Sequence, residues 1–104
     1  MPLKPQSENL EKLNLETALI PWKDLQRFFA SGQTIYVSSK LDLIDVADAF
    51  SRDDKSQVES WLTQSLVTKV SDQQAMDWFD SDVEIWSVVV KPWVLVQDIP
   101  QVTS

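Results

Sequence analysis

A chain of 104 residues has room for one domain and one modest core, able to bury roughly 65% of its unfolded surface. It holds no cysteine and no histidine, which excludes disulfides, thiolate nucleophiles, cysteine-built zinc sites and every imidazole general base. The net charge of −7 falls after residue 40, where four Lys/Arg face twelve Asp/Glu, so a phosphate backbone meets repulsion rather than a basic patch.

Residues 1–7, with two prolines among polar residues, read as a flexible tail. From Ser7 onward Leu10, Leu13 and Ala18 recur at roughly helical spacing, and Glu8 and Glu11 fall in the first turn, where the helix dipole favours them. Pro21 suits the start of a second helix, with Trp22, Leu25, Phe28 and Phe29 as its apolar stripe. "ASG" at 30–32 ends that helix, and Gly32, the only glycine, fits the left-handed position just past a helix end. "QTIYVSS" (33–39) is β-branched and predicts a strand.

Leu43, Val46, Ala47 and Phe50 then form the apolar face of a helix, with Asp42, Asp45 and Asp48 off that face. After "SRDD", Val58, Trp61, Leu62 and Leu66 again have helical spacing, and "VTKV" (67–70) predicts a short strand. Ser71 and Gln74 stand in capping-box register ahead of Ala75, Trp78 and Phe79. Residues 88–97 are the most apolar run, "VVVKPWVLVQ", and even the twelve residues Ile85–Val96 are too few, and too interrupted by Lys91 and Pro92, to span a bilayer. Read as one strand, it turns Trp86, Val88 and Val90 to the core, pairs near residues 67–70, and stops or bulges at Pro92, which has no N–H for a ladder. Trp61, Trp78, Phe50 and Trp86 are the expected aromatic core, and residues 98–104 read as a second flexible tail.

The expected class is α+β, mostly helical with a small sheet, as a single domain over residues 8–97. The order helix-helix-strand-helix-helix-strand-helix-strand is winged-helix-like, although a wing connection over 71–84 with its own helix is unusually long. "LNLETALIPWKDLQRFFASG", "LDLIDVADAF", "VESWL" and "KPWVLVQ" together resemble the family called domain of unknown function 2288, from about Leu13 to Gln97. The resemblance implies a small bacterial cytoplasmic protein and brings no catalytic residues with it.

Functional readings follow from the residues alone. "DSDVE" opens like a calcium loop, but Ile85 stands where glycine is needed and Lys91 where glutamate is needed, so the acidic clusters read as solvated faces. No cofactor is expected, and with no catalytic constellation the chain does not read as an enzyme. Were the chain to bind DNA, the recognition face would be Lys55, Gln57, Ser60 and Gln64, but its one lysine is offset by Glu59, so nucleic acid is disfavoured. A protein partner is the better expectation. Trp93, Leu95 and Val96 form its candidate surface, with Trp93 lining a pocket or an oligomer contact. Packing of 93–96 into the core would favour a monomer, and an open edge there would give a homodimer.

Overall fold

The computed structural model describes residues 17–98. Its strands are β1 (Ala18–Pro21), β2 (Thr34–Val37), β3 (Val67–Lys69), β4 (Glu84–Val90) and β5 (Trp93–Gln97). Its α-helices are α1 (Gln26–Ala30), which continues a 3₁₀ turn over Trp22–Leu25, then α2 (Leu43–Ser51), α3 (Lys55–Thr63) and α4 (Asp72–Asp80). The strands form one sheet in the order β1-β4-β5-β2-β3, in which β2 and β5 run parallel and every other pair antiparallel.

Both faces of this sheet are packed, because side chains alternate along a strand and both alternating sets are apolar here. One face gathers Val37, Val67, Val88 and Leu95 beneath Leu43, Val46 and Ala47 of α2. The other gathers Ile85, Val94 and Val96 beneath Trp22, Leu25 and Ala75. Strands buried on two sides read as continuous apolar runs rather than alternating ones, which accounts for "VVVKPWVLVQ".

That run is two strands, not one. Val90 pairs with Trp93, leaving Lys91 and Pro92 as the connection of a tight hairpin, with a cis peptide bond between them. Pro92 sits where no ladder hydrogen bond is required of it. The hairpin, not a bulge, brings Trp93 and Leu95 onto the face of Val88 and Val90, since directly opposed residues share a face. The expected pairing with residues 67–70 is also corrected. β4 lies between β1 and β5, and β3 pairs with β2 at the far edge.

Two further corrections concern order. Ala18, expected in the first helix, begins edge strand β1, whose register runs from Ala18 opposite Ser87 to Pro21 opposite Glu84. Leu10, Leu13 and the rest of that expected helix lie outside the described residues. The class is α+β as expected, but the winged-helix order is not found: α2 and α3 lie on a five-stranded sheet, and α4 separates β3 from β4, which do not pair.

Local signals at the helix ends worked as the residues suggested. Pro21 is the N-cap of the 3₁₀ turn, and Ser71 and Gln74 form a reciprocal capping box on α4. Among the described residues, all four α-helices end in the same reversal. After α1, Gly32 N–H donates to Phe29 O (2.9 Å) and Gln33 N–H to Phe28 O (2.9 Å), with Gly32 at φ 72°. The equivalent left-handed residues after α2, α3 and α4 are Asp53 (φ 57°), Ser65 (φ 60°) and Asp82 (φ 53°). This is the paired 6→1 and 5→2 pattern of a Schellman motif.

The centre of the aromatic core is Trp22. It is fully buried and meets Phe29 and Trp78 edge-on at 5.7 Å and 5.0 Å between ring centroids. Trp61, Trp78 and Phe50 pack half-buried against the two clusters. Trp86 departs from expectation. It faces the same way as Val88 but is 37% exposed, and its cross-strand partner Leu19 is equally open, so this corner of the sheet is only partly covered.

Candidate binding pocket

The α2–α3 turn sets up an open hollow beside the sheet. Ala49 and Phe50 anchor the end of α2, the left-handed Asp53 reverses the chain, and Asp54 caps α3 by accepting from Gln57 N–H (3.2 Å). Arg52 fixes the turn from outside, donating to the buried Asp48 carboxylate at 2.9 Å and lying 4.0 Å from Asp54. Helix α3 therefore starts at a defined angle immediately after α2.

Its apolar stripe is too sparse to seal against the sheet. No residue of α3 is fully buried, Val58 and Trp61 are half-buried, and Leu62 is 50% exposed. The gap is a cavity of about 370 Å³ open to solvent. Its floor is Ile35 of β2, Val67 of β3 and the indole of Trp93 on β5. Ala49, Phe50, Val58 and Leu62 make the walls. The rim carries three carboxylates (Asp53, Asp54 and Glu59) against two ammonium groups (Lys55 and Lys69), and among the described residues neither lysine makes an ion pair. A mostly apolar hollow with a few charged groups at its mouth, on a rigid frame, is the usual form of a ligand pocket.

The surrounding field is acidic. Asp45, in the first turn of α2, has its carboxyl pushed above the usual range, first by burial and then by repulsion from Asp42 and Asp48. These three do not converge on a cation: Asp42 caps Ile44 N–H at 2.8 Å and Asp48 is committed to Arg52. Among the described residues no group of three carboxylates is placed to hold a metal ion.

The predicted site residues divide. Trp93 does line a pocket. Leu95 and Val96 do not lie on a surface: both are fully buried on a strand flanked by β4 and β2, so of the two alternatives for 93–96 the structure has packing into the core, not an open edge. Lys55 lies on the pocket rim, while Gln57, Ser60 and Gln64 are exposed along α3. The Gln64 amide is turned back onto its own helix, donating to Ser60 O (3.1 Å) and Ser60 Oγ (3.0 Å).

The family profile described as "Protein of unknown function (DUF2288)" matches residues 8–98. The chain belongs to this family. It is also similar to the solution NMR structure of PA1075 from Pseudomonas aeruginosa, at 38% identity and a TM-score of 0.80, over all of this chain and 97% of that one. No curated protein matches. Among the described residues of this DUF2288 chain no helix is long and apolar enough to cross a membrane. Sequence reasoning missed Ile35, Val58, Leu62, Val67 and Lys69 as pocket residues, and the one available signal was the thin stripe of α3.

Proposed function

We propose that this DUF2288 chain is a cytoplasmic protein-interaction or accessory module, not an enzyme, and that it takes its partner at the cavity between α3 and the sheet. The observation that carries this reading is an open apolar hollow floored by Trp93, held between rigid elements whose other large side chains are mostly spent on packing. A buried aromatic surface at the base of a hollow is where an anchoring side chain gains most when it is desolvated. The acidic surroundings of α2 and α3 speak against a nucleic-acid backbone as partner. The interior position of β5 supports a monomer as the working unit.

Peptides selected from a displayed random library against the native chain provide the test, with binding mapped by amide chemical-shift perturbation. The expected result is perturbation concentrated at Val58, Leu62, Val67 and Trp93, and loss of binding in Leu62→Asp, a half-exposed position, with an unchanged far-UV circular dichroism spectrum showing that the variant is folded. Selected peptides that map elsewhere, or that bind Leu62→Asp as well as wild type, refute the proposal.

A further inference from the structure

We infer that the occupant of this cavity is a cationic amphipathic segment of a partner protein, an apolar or aromatic anchor flanked by Lys or Arg; this rests on the reading of the cavity as a protein-binding site. The argument is charge complementarity around an apolar hole. At the rim, Asp53, Asp54 and Glu59 outnumber Lys55 and Lys69. Arg52, beside the rim, is held by the buried Asp48 and lies 4.0 Å from Asp54, so it adds little free positive charge there. The chain as a whole carries −7. An acidic segment would bring its charges against this field as it lowered its anchor, whereas a basic one is steered in and held in register.

The cavity supplies what the charges cannot. About 370 Å³ walled by Phe50, Val58 and Leu62 over Trp93 accepts a bulky side chain and removes its apolar surface from water. The aromatic floor also tolerates a cation close above it, because the face of an indole is electron-rich. Specificity then needs both features at once: anchor without positive flanks, or flanks without anchor, satisfies only half of the site.

Three labelled peptides of equal length separate these terms by fluorescence anisotropy: Lys/Arg-flanked with Trp and Leu anchors, the same flanks with the anchors changed to Ser, and the same anchors flanked by Glu. Against the wild-type chain at low salt, the anchored cationic peptide is expected to bind on the order of tenfold or more tighter than either control, and to weaken as salt rises. Leu62→Asp should abolish anchor dependence, and Asp53→Asn with Glu59→Gln should weaken binding several-fold. Equal or tighter binding of the Glu-flanked peptide overturns the charge inference while leaving the cavity reading standing. Binding of the Ser control as strong as that of the anchored peptide shows unspecific attraction and overturns the inference too. Failure of both anchored peptides to bind removes the cavity reading along with it.

Discussion

The four helix ends make a controlled experiment on backbone conformation, because one left-handed position holds glycine and three hold ordinary L-residues. For an L-residue the left-handed region is disfavoured by about 1–2 kcal/mol, with Asp and Asn suffering least. Glycine escapes that penalty but gives back about 0.4–1 kcal/mol through its greater freedom in the unfolded chain. For Ser65→Gly the balance is a gain of about 0.5–1 kcal/mol, which in a domain of this size raises Tm by about 2–8 °C. Asp82→Gly should gain less, because aspartate tolerates the conformation better. Gly32→Ala is the mirror case. A Cβ there would meet only Lys69 Nζ, at an ordinary 3.9 Å, so no collision contributes and the loss of about 1 kcal/mol is conformational. Thermal and urea denaturation of the three variants at neutral pH measure these differences directly. A Ser65→Gly protein that melts below wild type with an unchanged denaturant slope, or a neutral Gly32→Ala, would refute the reasoning.

Other outcomes follow from the packing and the one tyrosine. Trp22→Ala, which removes a fully buried ring with two aromatic neighbours, should destabilise by about 3–5 kcal/mol, more than Trp61→Ala at a half-buried site, and equal losses in denaturant melts would contradict the burial pattern. Val58→Phe should partly fill the cavity, raise Tm through added apolar contact and block peptide binding; a lowered Tm would show that the hollow has no room for the ring. Tyr36, whose hydroxyl donates to Asp98 Oδ1 at 3.0 Å, has its pKa pushed up to about 12 by burial first and by that bond and the Asp98 charge second. The folded chain therefore holds a proton that the unfolded chain releases near pH 10, so stability falls as pH rises from about 10 towards 12. Ultraviolet titration should show the tyrosinate midpoint near 12 in the folded chain, with Asp98→Asn lowering it but not to 10, and a wild-type midpoint near 10 would contradict the buried environment.

Local features of this fold were legible because local chemistry decides them. The Ser71–Gln74 box, the proline at the start of the 3₁₀ turn and the glycine after α1 each answer an unsatisfied backbone group or a required φ within a few residues. The stripes of α2 and α4 gave helices of the right kind in the right places. Strand pairing was not legible, since it is decided by partners far apart in sequence. β2 takes β3 on one side and β5 on the other, and nothing within "TIYV" specifies either neighbour. β1 was missed for a related reason: four residues at a sheet edge have a partner on one side only, and their alternation is too brief to displace a helical reading that began upstream.

The site divides along the same line, and Trp93 shows why. As a residue beside Pro92 in an apolar run, it fits core, pocket and interface alike, because all three ask for a large ring at a strand end. The sheet order separates them. Placing β5 between β4 and β2 buries Val94, Leu95 and Val96 and leaves no free edge on that strand. It leaves Trp93, at the hairpin end of that interior strand, with its ring beneath α3. Whether the ring is then sealed or left accessible depends on how closely α3 approaches, which a turn of three residues, Arg52–Asp54, and a stripe led by Val58 and Leu62 decide together. Each of those residues looks ordinary alone. A helix capped firmly at its start and supplied with too few apolar groups to close down is what converts a core tryptophan into the floor of an open hollow.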